Sequence, residues 1–288
     1  MNENTPVIRF LYGTAAGRCL TGLILKSRLD RGLARLLGLG WSRVLIGGYA
    51  RRHGIRLDSE QKRSFRSFQA FFSRTREQVP IDAAPDHLIS PCDGWLSAYP
   101  IRPDSSFAIK DSHYRLEDLI EDAELARTFR NGDCLIFRLC PSDHHHYCYI
   151  DDGWQSEHHS IPGVLHSVQP IACETYPVYT LNSRCWSLLR TEHFGPVIQT
   201  EIGALLVGGI VNEGDDRPFT RGMEKGHFEL AGSTIVLLFQ QGRISLLPSM
   251  LSSMDGGKEA RVEQGMQIGV SGAQGSEGEY EDRSDPRP

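Results

Sequence analysis

The chain has 288 residues, 40% of them hydrophobic and 23% charged, which is enough apolar material for one large domain or two modest ones and excludes a disordered or fibrous protein. Its net charge of -5 hides a division, because residues 1–80 hold 15 Lys and Arg against 5 Asp and Glu, and the remainder 16 against 31. The seven cysteines, at 19, 92, 134, 140, 148, 173 and 185, are an odd count with no regular framework and no Cys-x-x-Cys, which suits free thiols in a reducing compartment.

Residues 1–75 read as helices, interrupted by Gly13, Gly17, Gly22, Gly38, Gly40 and the Gly47-Gly48 pair and closed by the aromatic stretch Phe65–Phe72. Between Phe10 and Leu39, the apolar residues Leu20, Leu23, Ile24, Leu33, Leu36, Leu37 and Leu39 recur at helical spacing among Arg18, Lys26, Arg28, Arg31 and Arg35. This is the pattern of an amphipathic helix lying in a membrane interface, or of a soluble helix packed on the body of the protein. Basic charge alone suits nucleic acid as well as an anionic bilayer. The apolar stripe favours the bilayer, and no nucleic-acid partner is expected. No run approaches the roughly 20 uncharged apolar residues of a spanning helix, and no cleavable leader pattern opens the chain. The expectation is a peripheral or monotopic protein on the cytoplasmic face of the cell membrane.

From Leu88 the period changes to short β-branched or aromatic runs separated by Gly, Pro, Asp and Asn: Trp95–Ile101, Cys134–Cys140, Tyr147–Ile150, Val197–Ile202, Ala204–Val211 and Thr234–Phe239. These predict antiparallel strands, with one helix over Leu116–Phe129. Ala260–Gly269 has the strand, tight glycine turn and strand look of a barrel-sandwich domain, with no lysine at the tip. Residues 271–288, rich in Gly, Ser, Glu, Asp and Pro, carry too little apolar surface to order themselves. The fold class is α+β: a basic helical region over 1–75, a mostly antiparallel β domain of barrel-sandwich character over 76–270, and a disordered acidic tail over 271–288.

Three motifs carry candidate chemistry. Ser90-Pro91-Cys92-Asp93-Gly94 is a turn that presents a carboxylate, and in isolation Asp93 serves equally as a turn residue. Pro141-Ser142-Asp143-His144-His145-His146-Tyr147-Cys148 sets three imidazoles in succession. Alternate residues of a strand face opposite sides, so only His144 and His146 could share a metal ion there. No Cys-x-x-Cys or His-Glu-x-x-His spacing supports zinc, and no metal is expected. In Gly226–Thr234, the Gly232-Ser233 peptide bond directly precedes the apolar run Ile235–Phe239. Glycine has no Cβ, so the Gly232 carbonyl can adopt a geometry open to attack by the Ser233 hydroxyl. A Gly-Ser-Thr turn ahead of a buried strand is also ordinary punctuation.

In this order, the segments resemble the phosphatidylserine decarboxylase family: its Asp-Gly turn at 90–94, its histidine motif at 141–148, and its glycine-serine-threonine cleavage motif within 221–239. Ile161–Val168 and Ile202–Ile210 are similar between them, so the likeness covers roughly residues 65–270. It implies a pyruvoyl-dependent enzyme made as a proenzyme. The chain would cut itself between Gly232 and Ser233 into a β chain, 1–232, and an α chain, 233–288, and Ser233 would become the covalent pyruvoyl cofactor that condenses with the substrate amine. The matching charge relay is Asp93 and His145, with His145 returning the later proton. The second histidine of the family's Asp-Tyr-His-Arg-x-His is Cys148 here, as in a subgroup with Cys-Tyr, so Cys148 either shares the proton transfer or leaves it to His145. His144 and, within Ile109–Tyr114, His113 are implied pocket residues. The implied reaction turns phosphatidylserine of an anionic membrane into phosphatidylethanolamine and carbon dioxide, and a homo-oligomer stays open. Three alternatives remain at this level: a pyruvoyl decarboxylase of another serine-headgroup lipid or amino acid, a non-catalytic membrane-associated scaffold with an inert Gly-Ser turn, and a metallohydrolase built on the histidine run.

Overall fold

A computed structural model describes residues 6–27, 32, 35–76, 79–109, 112–204, 209–230 and 233–272. Its strands are β1 (His87–Ile89), β2 (Gly94–Pro100), β3 (Ser106–Ile109), β4 (Ser112–Arg115), β5 (Asp133–Leu139), β6 (His146–Cys148), β7 (Gly153–Gln155), β8 (His159–Ile161) and β9 (Arg184–Thr191). They continue with β10 (Gly195–Ile202), β11 (Gly209–Asn212), β12 (Arg217–Phe219), β13 (Glu224–Glu229), β14 (Ser233–Phe239), β15 (Ile244–Leu246), β16 (Ala260–Val262) and β17 (Gln267–Ser271).

The apolar run Ile235–Phe239 dictates the architecture, because a strand without polar alternation must be covered on both faces. It forms the body of β14, whose residues are all buried. Val236 and Leu238 enter one core with Ile136, Trp186 and Ile198, while Ile235, Leu237 and Phe239 enter a second with Leu135, Phe137, Leu139 and Val197. β14 is central in a sheet ordered β12-β7-β9-β10-β14-β5-β2-β16, with β8 also on β9. Small sheets β1-β17-β15 and β11-β13-β6 and the hairpin β3-β4 surround it. All these strand pairs are antiparallel.

The N-terminal region is helical as expected: Pro6–Gly13, Ala15–Ser27, Val44–Arg52, Ser59–Ser64 and Phe68–Phe72. Asp58 opens Ser59–Ser64 with a reciprocal capping box to Gln61, and the Ser67 hydroxyl caps Phe68–Phe72 by accepting from Ala70 N–H at 3.1 Å. Ile46 and Ala50 form a third apolar cluster with Phe68, Phe71, Phe72 and Leu230. Ile8, Leu11 and Tyr12 join the first core instead.

Two expectations are corrected. The single helix over Leu116–Phe129 is two, Leu116–Ile120 and Ala123–Arg127. Glu121 between them takes a left-handed φ of 56°, and Asp122 caps the second by accepting from Glu124 and Leu125 N–H. Ala260–Gly269 is not a hairpin, since β16 adds to β2 while β17 pairs with β1 and β15. Gly265, at φ 82°, turns the chain so close to Pro80 that a Cβ would meet its carbonyl oxygen at 2.3 Å. No closed barrel forms among the described residues. Strand β9 escaped the sequence pattern because Arg184 and Ser187 are buried in it; the Arg184 guanidinium instead caps the carbonyls of Asp118 and Leu119. The acidic tail beyond Gly272 lies outside the described residues.

Sheet β11-β13-β6 is tied to the main sheet by a wholly buried ion pair. Lys225 of β13 donates to Glu201 of β10 at 2.8 Å, and Asn212 of β11 donates to the other carboxylate oxygen at 3.1 Å. Removing one partner strands a buried charge, so Lys225→Met is expected to lose about 3–5 kcal/mol of stability. Urea unfolding checks this, with the Lys225→Met/Glu201→Gln double variant recovering most of the loss.

Candidate active site

Ser233 opens β14 opposite Leu139 of β5. Directly paired residues project to the same face, so its hydroxyl enters the core that holds Leu135, Phe137 and Leu139. The histidine motif leaves β5 at once, in a turn closed by Asp143 N–H to the Cys140 carbonyl at 2.9 Å and by Cys140 N–H to Asp143 Oδ2 at 2.7 Å. Arg261 holds the other Asp143 oxygen at 2.8 Å. The turn brings His145 to the head of β14, with Nδ1 3.3 Å from Ser233 Oγ.

The ring's other nitrogen fixes its chemistry. Nε2 stands 3.1 Å from the Cys140 carbonyl oxygen. A carbonyl only accepts, so Nε2 carries the proton, and Nδ1 of the neutral ring offers the lone pair that receives the serine hydroxyl proton. The ring is fully buried, with the Phe72 ring 4.2 Å away centre to centre. Burial first, then the Arg74 guanidinium, pushes His145 down to about 3, so it stands as free base at neutral pH.

Asp93 makes no hydrogen bond to the His145 ring, whose Nε2 faces the Cys140 carbonyl instead. The carboxylate, 2% exposed, accepts from Arg76 at 2.6 and 3.3 Å, from Gln264 N–H at 3.0 Å and from His144 N–H at 3.4 Å. Burial would raise its pKa, but the Gln264 N–H, Arg76 and the His144 N–H outweigh burial and hold it below the usual carboxylate range. Asp93 thus reaches the motif one residue early, through the backbone. Gly94 lets the start of β2 lie close against β5, because a Cβ there would lie 2.8 Å from the Arg138 carbonyl oxygen.

The remaining candidates divide. His144 and His146 do share a side, their rings stacked at 4.7 Å. The His144 nitrogens make no hydrogen bond, the Gln264 side chain approaching without reaching bonding geometry, and burial followed by His146 lowers its pKa to about 4. Cys148 donates its N–H to the Pro91 carbonyl at 2.9 Å, joining the two motifs, and burial pushes its thiol up to about 12. His113 is not brought to the cluster. It is exposed on hairpin β3-β4, where Arg102 donates to its Nδ1 at 3.4 Å. Gly232 and Asp111 lie outside the described residues.

Phe72, Arg76, Gln264 and the Cys140 carbonyl were not singled out from sequence. A backbone group that orients a ring has no residue-type signature, and Arg76 was hidden at the end of the basic region. A further signal lies just upstream of the Gly-Ser bond, where Leu230 holds a left-handed φ of 61°. A branched residue adopts this at a cost of about 1–3 kcal/mol, retained where packing over-determines it. Leu230 is buried in the cluster of Ile46, Phe71 and Phe72. It also lines a cavity of about 540 Å³ with Leu37, Val44, Leu45, Tyr49 and Phe72, the ring that packs on His145. Another cavity, about 420 Å³, is lined by Ile136 and Arg138, on the sheet face opposite the Ser233 hydroxyl.

Fold and site define a protein with a buried serine hydroxyl at the head of a strand, hydrogen-bonded to a neutral imidazole. The family model for phosphatidylserine decarboxylase matches residues 68–270. Relatives include phosphatidylserine decarboxylase proenzyme 2 of Clostridium acetobutylicum, 38% identical over 91% of this chain and 91% of its own length. The phosphatidylserine decarboxylase proenzymes of Clostridium beijerinckii, 35% identical over 91% and 92%, and Desulfitobacterium hafniense, 34% identical over 92% and 91%, are also similar. The chain belongs to the phosphatidylserine decarboxylase family.

With a folded pKa near 3 against an ordinary 6.5 for His145, the unfolded state binds the extra proton between these values, and the fold loses stability as pH falls through that window. In the Ser233→Ala protein, the His145 ring resonances are expected to stay those of the neutral ring from about pH 8 to about pH 5. A midpoint near the ordinary histidine value would contradict the assignment.

Proposed function

We propose that the chain is a proenzyme that cuts itself between Gly232 and Ser233 and, once matured, decarboxylates phosphatidylserine at a membrane surface. The observation that carries this reading is Ser233 Oγ at 3.3 Å from a His145 nitrogen that is free to take its proton, in a chain of this family. His145 Nδ1 takes the hydroxyl proton as Ser233 Oγ attacks the Gly232 carbonyl carbon; the Gly232–Ser233 C–N bond then breaks, the proton passes to the departing Ser233 amine, and the amide has become an ester. Loss of the Ser233 α proton then expels the Gly232 carboxylate by β-elimination. The dehydroalanine left behind takes up water and releases ammonia, leaving a pyruvoyl group at the head of residues 233–288.

Ser233 suits this fate. The residues after it pair on both sides with β5 and β10, and each buried aliphatic side chain contributes about 1.5–3 kcal/mol to holding the new terminus in place. The pyruvoyl group supplies an electrophilic carbonyl that accepts the electron pair left by departing carbon dioxide. His145 Nδ1, released from the hydroxyl, carries the returning proton. Cys148 keeps its proton at neutral pH and could act as a donor only. Asp93 is a positioning residue, holding the His144 backbone and the Arg76 side chain beside the base.

The N-terminal region is read as the membrane-facing part. Val7, Phe10, Leu20, Leu23, Leu36, Leu39, Trp41, Val44 and Leu45 are all exposed there, among Arg9, Arg18, Arg43, Arg51 and Arg52. No helix among the described residues is long and apolar enough to cross a membrane, which suits peripheral attachment. Anionic headgroups attract each basic side chain by about 1 kcal/mol, and the cavity beside Phe72 offers apolar walls to an acyl chain.

Intact-mass spectrometry is expected to find two chains in the wild type, the smaller beginning with a pyruvoyl group, and one uncut chain in Ser233→Ala. A cut Ser233→Ala chain would refute self-cleavage. Separately, the Trp41→Glu/Val44→Glu protein is expected to sediment with phosphatidylserine vesicles at least about tenfold less than wild type, as loss of buried apolar area at the interface requires. Equal binding would refute this membrane face.

A further inference from the structure

We propose that His146, Glu224 and His227 form a binding site for one transition-metal ion of the zinc class, where β6 pairs with β13 directly after His145. Strands β6 and β13 pair antiparallel with His146 directly opposite His227, and their rings stack at 4.8 Å. Residues three apart on a regular strand face opposite sides, so Glu224 and His227 should diverge. The register shifts between Glu224 and Gly226, and this irregularity turns the Glu224 carboxylate back to the histidine side, as bulges re-aim side chains elsewhere. One ligand atom from each residue then falls within 4.8 Å of the others.

The protons on His146 point to a cation. Its Nε2 stands 3.1 Å from the Ser73 carbonyl oxygen, and its Nδ1 stands 2.8 Å from Glu224 Oε1. Both neighbours are acceptors, and a neutral imidazole has a single N–H to donate. With Nε2–H committed to Ser73, the space between Nδ1 and the carboxylate must hold a second positive centre. A proton would satisfy His146 and Glu224, but leaves His227 unused, with its Nδ1 4.0 Å from the same Glu224 oxygen. A metal ion uses all three. Donation of the remote ring N–H to a backbone carbonyl is also the usual support of a metal-bound histidine.

Two imidazole nitrogens and one carboxylate oxygen select zinc, cobalt or nickel over calcium or magnesium, and leave a fourth position for water. Glu224 is 46% exposed, so an ion can enter from solvent. Bound there, it would clamp β6, which follows His145, to β13, which leads into the Gly232–Ser233 bond. The proposal does not depend on the reaction assigned above.

The test uses untagged wild-type protein stripped with chelator, given one equivalent of cobalt(II) and passed through a desalting column. Wild type is expected to retain one cobalt per chain with visible d–d absorption, and to melt at higher temperature with cobalt than without. Glu224→Gln and His227→Asn should each weaken retention by more than about tenfold, since losing even an outer-shell partner costs that much. Both positions are partly exposed, and circular dichroism confirms that the variants fold. Wild type emerging free of cobalt would overturn the site and leave a proton on His146 Nδ1. Retention by both folded variants equal to wild type would overturn it as well.

Discussion

The hydrogen bond from Ser233 to His145 is the interaction on which the rest depends, and it exists because the Cys140 carbonyl dictates the tautomer. A buried imidazole that faced solvent or a carboxylate at Nε2 could take either tautomer or a charge. Facing a carbonyl 3.1 Å away and fully buried, it has one neutral form, with its basic nitrogen turned to the serine. Asp143 and Arg261 brace the turn that presents this carbonyl, so the orientation of the base is built from backbone and from residues that never touch the serine.

The N-terminal helices take part in the same construction. Phe72 covers the His145 ring, while Ile46, Phe71 and Phe72 bury Leu230 in its left-handed conformation. The region that exposes apolar and basic side chains to its surroundings is therefore continuous with the packing that holds the segment ahead of Ser233. Under the proposed reaction, the helices that attach to a lipid surface also bury Leu230, two residues ahead of Gly232, and line the apolar cavity.

The central strand shows how far a one-dimensional pattern carries. Ile235–Phe239 reads as a strand covered on both sides, and it is. The Leu116–Phe129 segment reads as one helix, but Asp122 competes as a cap and splits it. The Ala260–Gly269 segment has hairpin chemistry at Gly265, yet its arms find better partners in two different sheets. The first is a competition between two local signals, helical period and an Asp cap, that the residue order contains; only the second is an override by longer-range pairing.

Residue types and their order determined the motifs, the two-sided burial of the strand after Ser233, the same-side placement of His144 and His146, and the basic apolar front. Tertiary structure alone decided which atoms meet: a carbonyl rather than Asp93 at the His145 ring, Arg76 at Asp93, and Glu224 turned beside His146 by a shift of register. Backbone carbonyls and changes of strand parity are available at every residue, so they leave no mark in composition or spacing, and a side-chain partner as far along the chain as Arg76 is from Asp93 is chosen only when the chain has packed.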